Sequence, residues 1–118
     1  MSMVQLNLDE LSATTKKYIA KDTKKGLILD ILSTNKSTIV RREVALNKNT
    51  PKKILDKLSK DEDDVVRANV ARNPNTSRRV LDNLSRDEVE LVRYAVAGNS
   101  KAGTEVFNKL VKDNEISK

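Results

Sequence analysis

The run Asp61-Glu62-Asp63-Asp64-Val65-Val66-Arg67-Ala68-Asn69-Val70-Ala71-Arg72-Asn73-Pro74-Asn75-Thr76 decides the fold, because it reads as one helix with its own start and stop and then recurs along the chain. The acids of 61–64 supply a capping side chain and first-turn charges, which suit the positive end of a helix dipole. Val66 and Val70 fall one turn apart with Ala71 beside Val70, the spacing of a buried stripe. Asn73-Pro74 ends the segment: Asn tolerates the left-handed closing position, and Pro blocks continuation.

Val40-Arg41 and Val92-Arg93 restate Val66-Arg67 at intervals of 26 residues. Between the copies starting at Val40 and Val66, identities at Val44/Val70, Ala45/Ala71, Asn47/Asn73, Asn49/Asn75, Thr50/Thr76, Leu55/Leu81, Asp56/Asp82, Leu58/Leu84, Ser59/Ser85, Asp61/Asp87 and Glu62/Glu88 join the Val-Arg pair and make up about half of the unit. The third copy keeps Val96, Ala97, Asn99, Leu110 and Asp113, with Phe107 in place of the first leucine. A period of this length marks stacked supersecondary units, none of which buries its apolar face alone.

The second half of each unit predicts another helix. Thr50 and Thr76 are its expected caps, and Pro51 suits a first helical position. Ile54, Leu55 and Leu58 then repeat as Val80, Leu81 and Leu84, and as Val106, Phe107 and Leu110, each set on one stripe. Projecting the period backwards sets Ile28, Leu29, Asp30 and Leu32 on this pattern and Tyr18 on the Val44 position. The expected organisation is one domain over 1–118: a degenerate N-terminal cap (1–22), a partial repeat (23–39), repeats at 40–65, 66–91 and 92–115, and a tail (116–118). The fold class is all-α, a right-handed α-solenoid of about four two-helix repeats.

Composition narrows the function. The 118 residues contain neither Cys nor His, which removes thiolate nucleophiles, imidazole bases and the usual zinc or iron–sulfur ligands. No stretch approaches the roughly 18 apolar residues of a membrane span, and the first residues lack a basic-then-apolar signal segment. The expectation is a cytoplasmic protein without membrane contact, cofactor or metal, and with no small-molecule substrate identified. The net charge of +6 points weakly to an acidic partner, nucleic acid or protein.

The stretch 61–76, followed by Val80-Leu81 and Leu84, resembles the leucine-rich repeat variant family, a HEAT-like group of bacterial helical repeats; the resemblance covers 23–112 and is strongest over 39–91. It implies an α-solenoid in which one helix per repeat can be of the tighter 3₁₀ type. Some relatives carry an N-terminal cysteine cluster for an iron–sulfur centre, which a chain without cysteine does not share. The resemblance attaches no general activity to the repeat.

The repeated polar residues divide by role. Arg41, Arg67 and Arg93 are expected to form an internal ladder with acids such as Asp61 and Asp87, since the planar guanidinium fits a carboxylate bidentately. Asn47, Asn73 and Asn99 are expected to close helices and satisfy turn backbone. Lys52, Lys53, Arg78 and Arg79 stand in first helical turns, where the dipole disfavours cations; this makes them candidates for a phosphate-binding row that Lys24-Lys25 would extend, although the third copy has Thr104-Glu105 there. The acids of 61–64 read as a capping segment and lack calcium-loop spacing. No Gly-rich phosphate loop or nucleophile elbow is present, so no catalytic residue is assigned and the chain is read as no enzyme.

Certain DNA glycosylases cradle duplexes with HEAT-like repeats, but their base-handling aromatics lack counterparts here: Trp is absent, Tyr18 and Phe107 take core positions, and Tyr94 alone is expected at the surface. The resulting expectation is a noncatalytic scaffold for a protein partner. Specificity would come from positions that vary between copies, Arg42/Ala68/Tyr94 and Glu43/Asn69/Ala95, read as exposed. The alternative is sequence-independent duplex nucleic-acid binding through the basic row. End-to-end self-association of the stack is a third arrangement.

Overall fold

The computed structural model describes residues 2–102 and 112, the side chain of Leu6 excepted. Among the described residues the chain is all-helical: α1 (Met3–Asp9), α2 (Ala13–Asp22), α3 (Gly26–Leu32), α4 (Thr38–Leu46), α5 (Lys52–Leu58), α6 (Asp64–Arg72), α7 (Arg78–Leu84) and α8 (Glu90–Ala97). All eight are α-helices, so none of these takes the 3₁₀ form that the resemblance allows. The second helix of the 92–115 unit, with Phe107 and Leu110, lies outside the described residues, as does Asp113.

Local chemistry accounts for the boundaries. Asp63 caps α6, its carboxylate accepting from Val66 N at 2.9 Å, and Asp64 adds a first-turn acid. Ser77 rather than Thr76 caps α7, and Pro51 stands at the N-cap of α5 without a side-chain bond. The threonines expected there turn the other way: Thr50 Oγ1 donates to Val44 O at 2.7 Å and Thr76 Oγ1 to Val70 O at 2.6 Å. Each satisfies a last-turn carbonyl of the preceding helix, which is a better use of a fully buried hydroxyl than a solvent-facing cap.

The asparagines that end α4 and α6 also depart from expectation. Asn47 and Asn73 have φ of −66° and −75°, and no described non-glycine residue takes positive φ. The chain leaves each helix extended, and the buried Asn side chain reaches back across the repeat. Asn73 Nδ2 donates to Ala45 O (2.7 Å) and Asn47 O (2.9 Å), Asn99 Nδ2 to Ala71 O and Asn73 O, and Asn47 Nδ2 to Ala20 O and Thr23 O. Their Oδ1 atoms accept from the N–H of Asn75, Lys101 and Asn49. One residue type thus satisfies donors and acceptors at three successive junctions.

These bonds also expose a slip in the projected register. Asn73 and Asn99 reach carbonyls 28 residues back, whereas Asn47 reaches Ala20, 27 residues back. Ala20 therefore takes the place of Ala45, Ile19 that of Val44, and Tyr18 that of Glu43. Tyr18 is 60% exposed, with Lys17 Nζ 5.7 Å from its ring centroid, and is no core residue. The projection holds for α3, where Leu29 and Leu32 are buried as Leu55 and Leu58 are.

The core runs the length of the described chain. α2 packs on α4, α4 on α6 and α6 on α8, while α3, α5 and α7 each join the next helix of this layer. Val40, Val44, Val66, Val70, Val92 and Val96 are fully covered, and Leu29, Leu55 and Leu81 close the core from the second helices. Burying each such side chain is worth about 1.5–3 kcal/mol.

Candidate functional site

The arginine ladder takes its expected form. Arg41 Nε and Nη2 bond Asp61 at 2.9 and 3.3 Å, and Arg67 bonds Asp87 in the same way at 2.9 and 3.2 Å. Nη1 of each arginine bonds the loop ahead of its own helix, Asn35 O and Lys36 O for Arg41, Asp61 O and Glu62 O for Arg67. Arg93 Nη1 donates to Asp87 O at 2.7 Å. The forks of Arg41 and Arg67 therefore each clamp the loop ahead of their own helix and hold a carboxylate from the loop ahead of the next helix of the layer, which the planar five-donor group permits. The bond from Asp87 raises the Arg67 pKa above its ordinary value. These side chains are committed internally and leave no guanidinium row for a ligand.

The variable positions fare unequally. Ala68 is fully covered and Asn69 is 5% exposed, contrary to the expectation that both face solvent. The cause is the place of α6, which packs between α4 and α8 and buries Val66, Ala68, Asn69, Val70 and Ala71. Asn69 Nδ2 donates to Arg42 O, and its Oδ1 accepts from Arg72. Ala95 is buried, Glu43 half-buried. Arg42 is half-buried and turned onto Asp63, with Nε–Oδ2 2.9 Å and Nη2–Oδ1 3.0 Å. That bond holds the Asp63 carboxyl below the usual range, assisted by Val66 N–H, and raises Arg42. Tyr94 is 48% exposed as expected, and its hydroxyl is pushed up chiefly by a hydrogen bond with Glu90.

Beside Tyr94 lies a row the sequence reading missed. Ile39, Val65 and Leu91 recur at the 26-residue interval near the starts of α4, α6 and α8; Ile39 is 51% and Leu91 42% exposed, with Val65 half-buried between them. Leu46, exposed at the end of α4, shares the helix face of Ile39 at i, i+7. The signal was legible as an apolar residue just ahead of each Val-Arg pair.

The basic candidates Lys52, Lys53, Arg78 and Arg79 are exposed at the first turns of α5 and α7. Acids interrupt them: Arg79 pairs with Asp56 at 3.2 Å and Lys57 with Asp30 at 3.5 Å. Lys24 and Lys25 precede α3, and Gly26 and Leu27 occupy the places of the Lys52-Lys53 pair, so the row is not extended. Between α3 and α5 lies an open groove of about 750 Å³ lined by Asp30, Ile54, Asp56 and Lys57 among others, with charges of both signs.

Among the described residues no group of three or more His, Cys, Asp or Glu side chains is placed to hold a metal, and no helix is long and apolar enough to cross a membrane. Asp61 and Asp63 are engaged by Arg41 and Arg42. No protein-family model, curated protein or solved structure matches this chain.

Proposed function

We propose that the chain is a right-handed α-solenoid of HEAT-like units, resembling the leucine-rich repeat variant proteins, and that it is a noncatalytic scaffold for a protein partner. The observation that carries this reading is the apolar row Ile39, Val65 and Leu91 with Tyr94 and Leu46, on helices packed directly side by side. An exposed apolar row with polar surroundings and an aromatic anchor is the composition of a protein interface. The row lies on the layer α2, α4, α6 and α8, whose helices pack on one another in succession, while the groove between α3 and α5 lies between helices of the other layer. The interrupted charges on α5 and α7 favour this reading over a phosphate-binding surface.

The test joins affinity capture with a salt titration. The wild-type chain should retain a protein partner that an Ile39→Glu, Leu91→Glu variant loses. Generic duplex DNA and RNA, titrated at about 50 and about 200 mM salt, should bind with no more than weak affinity, unaffected by charge reversal at Lys52, Lys53, Arg78 and Arg79. Tight, salt-sensitive duplex binding abolished by the reversal would overturn the reading in favour of a nucleic-acid module.

A further inference from the structure

The arginine ladder changes composition at its N-terminal end. Position 35 is the counterpart of Asp61 and Asp87 at the same interval, and it repeats their backbone role: Asn35 Oδ1 accepts from Ser37 N at 3.0 Å, as Asp61 Oδ1 does from Asp63 N and Asp87 Oδ1 from Val89 N. An amide stands where the next two units have a carboxylate. With the one-residue slip of α2, the counterpart of Arg41 is Lys16, a cation that meets no acid at this junction.

Lys16 and Asn35 line the same pocket, of about 400 Å³, together with Gln5, Asp9, Thr34 and Lys36. Four elements build it: α1, α2, the end of α3 with Ile31 and Leu32, and the loop after α3. Thr34 Oγ1 donates to Ile31 O, and Asn35 Oδ1 is taken by Ser37 N. Among the described residues, no hydrogen bond or ion pair engages the side chains of Lys16, Lys36 and Gln5 or the Asn35 amide hydrogens. Apart from the Gln5 carbonyl oxygen these are donors, and the two ammonium groups outnumber the Asp9 carboxylate. The later junctions define what such an arrangement binds: at each, a basic side chain of one helix meets a carboxylate from the loop ahead of the next helix of the layer.

We propose that this pocket receives a Glu or Asp carboxylate from an acidic segment of a protein partner, with Lys16 as its charge partner and the Asn35 amide as donor. The proposal deepens the protein-binding reading and rests on it. The carboxylate completes a Lys16–Asn35 junction in which the chain, among the described residues, gives Lys16 no ion-pair partner, and Asp9 sets the charge of the site to suit a single carboxylate.

The experiment titrates the full chain with a capped Gly-Glu-Glu-Gly peptide, its Gln-Gln counterpart and acetate, following backbone amide shifts by NMR. Saturable shifts at Lys16, Asn35 and Lys36 with the Glu peptide, absent with the Gln peptide, are expected. Asn35→Asp places the carboxylate within the chain, so it should weaken peptide binding about tenfold or more through like-charge repulsion while preserving the spectrum elsewhere. Lys16→Met should abolish binding and keep the fold. Shifts spread over all surface lysines, or binding unchanged in Asn35→Asp, would overturn the proposal. Acetate binding as tightly as the peptide would assign the pocket to small carboxylates and overturn the peptide source. Partner capture through Ile39 and Leu91 surviving a negative peptide titration would sink the pocket alone, and loss of both would sink the protein-binding reading with it.

Discussion

Asn73 donates its side-chain amide to Asn47 O at 2.9 Å, and Asn47 repeats the gesture toward Ala20 and Thr23. Each asparagine thus holds the unit before it and is held by the unit after it. The bonds are buried, Asn73 being 1% exposed, so water cannot replace them.

Asn73→Ala should therefore cost about 2–4 kcal/mol, since it strips donors from Ala45 O and Asn47 O and the acceptor from Asn75 N. Urea unfolding measures this directly. Asn83→Ala, at an exposed site on α7, should stay within about 0.5 kcal/mol of wild type. Equal midpoints for the two variants would contradict a structural ladder.

The Arg67 fork supports a second prediction. Its side chain is 13% exposed and that of Asp87 11%, so the pair is nearly but not wholly desolvated. Arg67→Met should cost about 2–3 kcal/mol, below the roughly 3–5 of a fully buried pair, because water still reaches Asp87. Arg67→Lys should recover only part of this: an ammonium cannot span two carbonyls and both carboxylate oxygens as the guanidinium does. A lysine variant as stable as wild type would show that charge alone matters at this junction.

Acid sensitivity should pass through Asp63. Its folded pKa lies below the usual value, chiefly because Arg42 bonds the carboxylate, so the pair contributes stability that is complete above about pH 4 and is lost as pH falls through the lower folded value. Arg42→Ala should lower the urea midpoint at pH 7, and its gap from wild type should narrow as the pH falls below about 4 and the Asp63 carboxylate is protonated. A gap independent of pH would attribute the effect to lost packing of the arginine stem. Arg42 is the better variant because changing Asp63 also removes the cap on α6.

What could be read from the sequence follows the range of the forces involved. The helix pairs, the Leu55/Leu81 stripe and the Arg41–Asp61 and Arg67–Asp87 ladder were legible because a 26-residue period prints each contact more than once. Thr50, Thr76 and the asparagines were assigned local roles, caps and left-handed turns, because local chemistry is what a sequence displays; their long-range bonds to the preceding helix or unit win by satisfying buried carbonyls. Tyr18 was misplaced because a fixed period cannot reveal a one-residue slip. Within the candidate surface Tyr94 was legible as exposed, whereas the burial of Ala68 depends on how closely α4 and α8 approach α6.

That last relation supports the sharpest test of packing. A helix between two neighbours has little room at the contact, and Ala68 has no exposed surface, so Ala68→Leu should overpack the junction and cost about 1–3 kcal/mol. Leu81, 1% exposed in the second layer, should lose about 2–5 kcal/mol as Leu81→Ala through the cavity it leaves. A silent Ala68→Leu would mean that α4 and α8 stand further from α6 than the fold requires. The partner surface would then extend through Ala68, joining Arg42 to Tyr94 across the face of three adjacent helices.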